Sequence, residues 1–160
     1  MKKLILYLFL IITIMVNYNC SDNKMEITEN EILLSMTVED EKLNMDSTNI
    51  ITLNITNMSG KDIDISINSF KLQLTSSLTG TTQVFILDYS NEKNAKNGKI
   101  NVNGKGTFSL KSDLAKILSH YEISKNDSLP GGDYSIRIIL DDMDISNIGS
   151  INSNVIYLEV

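Results

Sequence analysis

The sequence predicts an all-β fold, an antiparallel β-sandwich of about seven or eight short strands with one short helix near residues 112–121. Three observations predict it. After Ile32, apolar and polar residues alternate over most of the chain, so each strand has one face against a core and one towards water. One-sided strands of this kind are typical of antiparallel sheets. Clusters of Asn, Ser and Gly separate the alternating runs, as turns do between the strands of a sandwich.

Four alternating runs predict the first four strands, and they start at Ile32, Ile51, Ile63 and Phe70. The segment 57–61, between the second and third runs, predicts a tight hairpin. Between Ile67 and Phe70 the apolar residues change from odd to even positions, and such a shift turns every side chain to the opposite face. Residues 68–69 are therefore predicted to form a bulge or to carry the chain across to another sheet.

The middle of the chain predicts further strands and one long loop. Residues 76–80 predict a turn. Residues 84–89 are apolar on both sides, which predicts a strand nearer the centre of a sheet. Residues 91–99 are polar and rich in Asn and Lys, and we expect them to form an exposed loop. Short strands are predicted at 100–102 and 108–110, separated by a turn that contains two glycines.

One segment has the period of a helix rather than that of a strand. Its apolar residues occur at positions i, i+3, i+4 and i+7 and so share one helical face: Leu114, Ile117, Leu118 and Tyr121. Ser112 is predicted to cap the start of this helix, and Asp113 suits the positive end of the helix dipole. We expect about two helical turns, which cover one end of the sheets.

The last part of the chain predicts a turn at 130–132, a strong strand at 134–139 and a final strand at 156–160. A helical segment followed by Gly132-Asp133-Tyr134 at the opening of a long strand resembles the immunoglobulin-like domains. That resemblance implies a tyrosine corner, in which the hydroxyl of Tyr134 bonds to upstream backbone. The chain has no tryptophan and one cysteine, so it resembles a cysteine-free relative of that fold.

The first residues are typical of a secretory signal. Lys2 and Lys3 precede an apolar run at 4–16 that only Thr13 interrupts. Its 13 residues make a helix of about 20 Å, whereas a bilayer core of about 30 Å needs roughly 20 residues. The run is too short to span a bilayer well and fits the apolar core of a signal peptide. An uncleaved N-terminal anchor and a buried helix are the alternatives.

Cys20, the single cysteine, stands where the apolar run ends and a polar run begins. In this arrangement the N-terminus resembles a bacterial lipoprotein precursor, although Asn17 and Asn19 stand where that family prefers an aliphatic and a small residue. The resemblance implies cleavage before Cys20 and acylation of its thiol, and therefore a lipid bilayer as partner. The alternative is an ordinary signal peptide with an incidental cysteine, but Asn17-Tyr18-Asn19 lacks the small residues of an ordinary cleavage site.

These features divide the chain into a lipoprotein signal peptide at 1–19, a flexible tether at 20–31 and a single β-sandwich domain at 32–160. The tether is polar and charged and has no periodicity. The resemblance implies a place in the cell envelope. Ser21 stands where an aspartate often signals retention at the inner membrane, which favours the outer membrane or the cell surface.

The charge of the mature chain argues against a nucleic-acid partner. Removal of residues 1–19 takes away Lys2 and Lys3, which leaves 12 of the 14 Lys and Arg against 20 Asp and Glu, a net charge of −8. An acidic surface repels phosphate backbones and anionic lipids. We therefore expect no contact with nucleic acid.

The sequence contains no constellation that indicates catalysis. His120 is the only histidine, and Asp113 is seven residues away, too far to orient its ring in a nucleophile–base arrangement. Asp141, Asp142 and Asp144 form an acidic cluster, but it lacks the glycine and the distal glutamate of an EF-hand calcium loop, and we expect a solvated loop instead. We predict no catalytic residues, no metal site and no cofactor.

Together these features favour a membrane-anchored envelope lipoprotein that acts as a non-catalytic binding or scaffolding module with a protein partner. The alternative is an inhibitor or accessory subunit of a secreted or envelope enzyme. A small hydrolase or metal-dependent enzyme is the least favoured hypothesis, because the groups that such chemistry needs do not stand out in the sequence.

Overall fold

The computed structural model describes residues 31–44, 46–120, 131–142 and 150–160, and these form an all-β, sandwich-like fold. The predicted signal peptide, Cys20 and all but the last residue of the predicted tether lie outside the described residues. The described part has ten short strands and one short helix, more strands than the seven or eight expected. They are β1 Ile32–Val38, β2 Ile50–Asn57, β3 Ile63–Ser66, β4 Phe70–Ser76, β5 Thr82–Ile86, β6 Lys99–Val102, β7 Thr107–Asp113, α1 Leu114–His120, β8 Asp133–Leu140, β9 Ile151–Asn152 and β10 Ile156–Glu159.

The strands form three antiparallel sheets. A three-stranded sheet has the order β1-β2-β7, and a two-stranded sheet pairs β3 with β6. A five-stranded sheet has the order β10-β8-β4-β5, and β9 also pairs with β8. Every ladder between these strands is antiparallel. The prediction of an all-β, antiparallel, sandwich-like fold with one short helix is confirmed.

One cluster of buried apolar side chains joins the three sheets. Leu53 of β2, Ile65 of β3 and Leu72 of β4 are fully buried. Their neighbours along each strand are partly or fully exposed, as the alternation predicted. Full burial of one such side chain stabilises the fold by roughly 1.5–3 kcal/mol, so this cluster is the main source of stability.

The segment 57–61 is not a tight hairpin, because β2 and β3 belong to different sheets. The side chain of Asn57 is buried, and its amide group donates to the carbonyl oxygen of Lys61 at 2.7 Å and to two carbonyl oxygens at the end of β6. These bonds hold the segment against the turn that follows β6. The approach is close, since a Cβ on Gly104 would lie 2.7 Å from the carbonyl carbon of Gly60. The composition of 57–61 correctly predicted a change of chain direction, but composition does not specify which strands such a segment joins.

The parity change near residue 68 marks the point where the chain crosses between sheets, which confirms the second of the two readings predicted there. A short 3₁₀ helix, Ile67–Ser69, links β3 of the two-stranded sheet to β4 of the five-stranded sheet. The hydroxyl of Ser66 accepts a hydrogen bond from the backbone nitrogen of Asn68 at 3.4 Å. Ile67 and Phe70 are both buried despite their opposite parity, because the crossing turns the chain between them.

The predicted central position of residues 84–89 is wrong, because β5 is an edge strand of the five-stranded sheet. Phe85 and Leu87 are buried in the core, but Val84 and Ile86 are 56% and 53% exposed. In the described part of the chain, no second layer covers the side of the sheet on which these two residues lie. Apolar residues on both faces of this strand therefore indicate an exposed apolar surface rather than a strand buried on both sides.

Helix α1 begins at Leu114, and its N-terminal cap is Asp113 rather than the predicted Ser112. The Oδ1 atom of Asp113 accepts hydrogen bonds from the backbone nitrogens of the second and third helical residues at 3.1 and 3.5 Å. A side chain that reaches these amides must directly precede the helix, which Ser112 does not. Leu114 and Leu118 are buried, as the helical period predicted, whereas Tyr121 lies outside the described residues.

Several other expectations are confirmed. In the turn at 76–80, Gly80 has a φ of +67° and donates its N–H to the carbonyl oxygen of Ser76 at 2.9 Å. The short strands predicted at 100–102 and 108–110 fall within β6 and β7, and the last two predicted strands are β8 and β10. Tyr134 is buried near the start of β8, and the tyrosine corner stays a prediction.

Candidate functional site

The predicted lipid attachment site, Cys20, lies outside the described residues, and its acylation stays a prediction. The side chain of His120 lies outside them as well, so its surroundings do not bear on catalysis. Within the described ranges, no helix has the length and hydropathy that a bilayer crossing requires.

Two members of the acidic cluster interact with other parts of the protein. Asp141 forms an ion pair with Lys71 at 2.6 Å. Asp142 is buried, and its carboxylate accepts a hydrogen bond from the backbone nitrogen of Ser66 at 2.8 Å, at the end of β3. The third member, Asp144, lies outside the described residues. Among the residues that the structure describes, no three His, Cys, Asp or Glu side chains are grouped so as to hold a metal ion.

Tyr89 is a titratable group of the core rather than of a site. Its ring packs edge-on against Phe70 with 5.7 Å between the ring centroids, and only 5% of the residue is exposed. Its hydroxyl lies near the side chain of Ser112 but makes no hydrogen bond of ordinary geometry. Burial raises the pKa of Tyr89 to about 12, and Ser112 opposes part of that rise.

The candidate site is the face of the five-stranded sheet that points away from the core, which we call the outer face. Residues that lie opposite each other in a ladder share a face, so the register assigns the side chains. The outer face consists of Lys71, Gln73 and Thr75 of β4, Thr82, Val84 and Ile86 of β5, Ser135, Arg137 and Ile139 of β8, Tyr157 and Glu159 of β10, and Val155 just before β10.

Large apolar side chains are concentrated on this face. Seven of them are exposed in the described part of the chain, and five of the seven lie on the outer face or beside it: Leu78, Val84, Ile86, Val155 and Tyr157. Tyr157 is 69% exposed, and Leu78 lies in the turn that leads into β5. Single exposed apolar residues are ordinary, but a cluster of them indicates an interaction surface.

Polar side chains at the centre of the outer face are held in cross-strand pairs. Arg137 donates a hydrogen bond from Nε to Oε1 of Gln73 at 2.8 Å. The hydroxyl oxygens of Thr75 and Thr82 lie 3.0 Å apart. These pairs favour particular rotamers of the four side chains.

Two depressions lie on this side of the molecule. A pocket of about 180 Å³ surrounds Arg137 and is lined by Gln73, Thr75, Ser135, Ile136 and Val155 as well. An open groove of about 550 Å³ lies at the end of the sheet beside Tyr157 and Glu159. At that groove Lys42 approaches Glu159 to 3.7 Å, but both side chains are well exposed, so this ion pair contributes little to stability.

The edge strands β1 and β5 differ in what the described part of the chain places beside them. On the outer edge of β1, the side chain of Asn154 accepts from the backbone nitrogen of Met36 at 2.6 Å and donates to its carbonyl oxygen at 3.0 Å. This amide thus satisfies the edge groups of Met36 that a neighbouring strand would otherwise bind. In the described part of the chain, no strand lies beside the outer edge of β5.

Sequence reasoning did not find the outer face. The alternation identified the apolar rows of β4, β5 and β8. It did not show whether another layer of the protein covers each row. Two signals point to it in hindsight. Val84 and Ile86 form a second apolar row on β5, and Arg137, the only arginine of the chain, interrupts the apolar run of β8.

Comparisons with known proteins place the chain in no family. No family model and no curated protein matches it. The alkylpurine DNA glycosylase AlkC of Pseudomonas fluorescens, solved with DNA containing an abasic site analog, is 7% identical with a TM-score of 0.49, over 81% of this chain and 30% of that one. The sporulation control protein Spo0M of Bacillus subtilis is 9% identical with a TM-score of 0.43, over 81% and 48%. The chain spans less than half of either protein, and likeness at this level carries no argument about function.

Proposed function

We propose that the protein is a membrane-anchored lipoprotein of the bacterial envelope, acylated at Cys20, that acts as a non-catalytic binding module for another protein. The observation that carries the binding role is the outer face, where exposed apolar side chains surround a fixed Arg137–Gln73 pair. Protein interfaces have this composition, with aromatic, aliphatic and arginine side chains at the centre and polar groups around them.

The anchoring role rests on the position of Cys20 between an apolar and a polar run. Two acyl chains hold a protein at a membrane, whereas a single chain gives marginal binding. The polar residues 21–31 then separate the folded part from the bilayer. A net charge of −8 after removal of residues 1–19 disfavours direct contact of the domain with anionic lipid or nucleic acid.

Substitution of Cys20 tests the anchor. We expect the full chain to fractionate with membranes and Cys20→Ala to move to the soluble fraction, with Ser21→Ala as the matched control that stays at the membrane. Mass spectrometry of the wild-type N-terminal peptide should show a lipid-modified cysteine. Membrane retention of Cys20→Ala, or an unmodified thiol in the exported protein, contradicts lipid anchoring.

Site-specific cross-linking tests the outer face. A photo-reactive amino acid at Val84 should give cross-links of defined size to one or more other proteins in intact cells. The matched control position is Leu33 on β1, because it is 55% exposed and Val84 is 56% exposed. We expect no defined product from Leu33. Equal products from both positions, or none from Val84, contradict a binding role for the outer face.

The second candidate function is an inhibitor or accessory subunit of a secreted or envelope enzyme. The fixed cross-strand pairs of the outer face favour it, because a preorganised surface is suited to one tight partner. The same cross-linking experiment distinguishes the two functions. A single stoichiometric product supports the inhibitor or subunit, and several products support a scaffolding module.

A further inference from the structure

We propose that the partner binds through a carboxylate side chain that pairs with Arg137, and that apolar residues on either side of this carboxylate cover Val84, Val155 and Tyr157. The inference rests on the proposed function and names the chemistry of the partner. It assigns to Arg137 the role of the central recognition residue of the outer face.

The hydrogen bonds and ion pairs of the outer face distinguish Arg137 from Lys71. Its Nε bonds to Gln73, and no carboxylate forms an ion pair with its guanidinium in the described part of the chain. Lys71 on the same face is different, because Asp141 neutralises it at 2.6 Å. With 20 Asp and Glu in the sequence, a partly buried arginine without a carboxylate partner is a position where an external anion is favoured.

The pocket around Arg137 has the size and the hydrogen-bond donors to receive a carboxylate side chain. The pocket of about 180 Å³ around Arg137 has room for several water molecules, and a carboxylate side chain can replace some of them. Because Gln73 holds Nε, the two terminal amino groups of the guanidinium remain to bind both oxygens of one carboxylate. The fixed orientation of the guanidinium favours this bidentate arrangement over a single contact.

Apolar side chains lie close to Arg137 on the outer face. Val84, Gln73 and Arg137 occupy one row across β5, β4 and β8, and Val155 lines the pocket at the β10 side of that row. Tyr157 opposes Ser135, in the next row along the sheet. Apolar contacts around a charged pair exclude water and strengthen the pair, as in the energetic centres of protein interfaces.

The net charge of the protein favours a carboxylate of a protein over the phosphates of a membrane or a nucleic acid. Arginine also binds phosphate, so a membrane or a nucleic acid could supply the anion. The net charge of −8 after removal of residues 1–19 repels both polyanions over their whole surface, whereas a short protein segment with one carboxylate meets only the local field of Arg137. The observations therefore favour a protein segment.

Selection from a random-peptide phage library on the immobilised full-length protein tests the inference. We expect the selected peptides to contain Asp or Glu between apolar residues. A synthetic peptide with the enriched sequence should bind the wild type, and Arg137→Gln should weaken that binding by at least about tenfold. Arg137→Lys should lose an intermediate factor because it keeps the charge without the planar fork. Lys111→Gln is the control, because it removes one positive charge from an exposed position on β7.

Val84→Thr separates failure of the inference from failure of the proposed function, with Leu33→Thr as its control. If Val84→Thr weakens peptide binding and Arg137→Gln does not, the outer face binds a partner but not through a carboxylate. If neither substitution changes binding, or if no peptide is selected, both the inference and the binding role are contradicted. Circular dichroism of each variant excludes loss of the fold as the cause.

Two further measurements complete the test. These measurements use the chain with Cys20→Ala, which carries no acyl anchor. Binding of this protein to phosphatidylglycerol vesicles, with loss on addition of Arg137→Gln, overturns the inference in favour of a membrane. A concentration-dependent dimer that Arg137→Gln dissociates overturns it in favour of a second copy of the chain. The expected results are no vesicle binding and a monomer in solution. Affinity for the acidic peptide should also fall with added salt in the wild type and not in Arg137→Gln.

Discussion

At the scale of single residues, Asn57 shows how one buried polar side chain connects segments of different sheets. Its amide nitrogen donates to three carbonyl oxygens, at 2.7, 3.0 and 3.2 Å, and its Oδ1 accepts from the backbone nitrogen and the hydroxyl of Ser59. An amide group has two hydrogens, so one of them is shared between two acceptors. The residue is fully buried, and its bond to the carbonyl oxygen of Val102 is buried as well.

Asn57→Ala should lower the free energy of unfolding by about 2–4 kcal/mol, because one buried and two partly buried carbonyl groups lose their donor and each buried loss costs roughly 1–3 kcal/mol. Urea denaturation followed by circular dichroism measures the change. The control is Asn101→Ala, whose exposed amide donates only to the Asp64 carboxylate at 2.8 Å. We expect it to change stability by less than about 0.5 kcal/mol. Equal effects of the two substitutions contradict the role of Asn57.

The raised pKa of Tyr89 predicts that the protein loses stability at alkaline pH. The unfolded tyrosine ionises near pH 10, whereas in the folded protein the pKa of Tyr89 is about 12. The stabilisation is therefore complete below about pH 10 and decreases as the pH rises towards 12, by up to about 2–3 kcal/mol. Urea denaturation at about pH 8, below the window of about 10–12, and at about pH 11.5, near its upper end, measures the loss.

Tyr89→Phe should be less sensitive to alkaline pH than the wild type and about equally stable at neutral pH, because the hydroxyl it removes makes no hydrogen bond of ordinary geometry. Tyr157→Phe serves as the control at an exposed position and should behave as the wild type does. A Tyr89→Phe variant that loses as much stability as the wild type between the two pH values speaks against the buried phenol as the cause.

At the scale of elements, strand identity followed from the sequence, but strand pairing did not. Alternation is a local property, so the apolar faces of β1, β2, β4 and β8 could be predicted from their own residues. Which strand lies beside another depends on residues far apart in the sequence, and turn composition at 57–61 is the same whether the turn joins neighbours or crosses between sheets. The edge position of β5, and with it the exposure of Val84, was therefore beyond a local reading.

The N-terminal cap of α1 was predicted one residue too early, at Ser112 instead of Asp113. Ser112 and Asp113 are both good capping residues, and only the end of β7 at Asp113 decides between them. Asp113→Ala should destabilise the protein by about 1 kcal/mol or somewhat more, because the free amides of the first helical turn lose their acceptor. Ser112→Ala should cost less than about 0.5 kcal/mol. Thermal denaturation of the two variants measures the difference, and a larger effect of Ser112→Ala would show that the cap is misassigned.

At the scale of the whole molecule, the three sheets share one core, and we expect the described part to unfold as one unit. The buried cluster draws on all three sheets, and β1 near the N-terminus of the domain contacts β8, β9 and β10 near its C-terminus. Contacts between distant parts of a chain couple their unfolding.

Three core substitutions, one for each sheet, test this coupling. Leu53→Ala, Ile65→Ala and Leu72→Ala remove fully buried side chains and should each lower the stability of the same single transition by about 2–5 kcal/mol. Tyrosine fluorescence and far-ultraviolet circular dichroism should report coincident curves for every variant. Two separate transitions, with only one shifted by a given substitution, contradict a shared core.

The composition and the apolar pattern were enough to predict the all-β architecture, because antiparallel strands with one wet face leave a clear period of two. The candidate site was not predictable in the same way. A surface such as the outer face is defined by what does not cover it, and Arg137 acquires its significance only when Lys71 is seen to be paired and Arg137 is not. Neither relation can be read from neighbouring residues in the sequence.

The amide of Asn154 on the edge of β1 has a consequence for crowded conditions. It satisfies the nitrogen and the oxygen of Met36, so an identical molecule alongside finds no donor or acceptor there with which to continue the sheet. With the proposed bilayer anchor, molecules of this protein would share a surface and meet often, and an open strand edge is a place where two sheets can join. A single planar side chain removes one such place at the cost of no additional secondary structure.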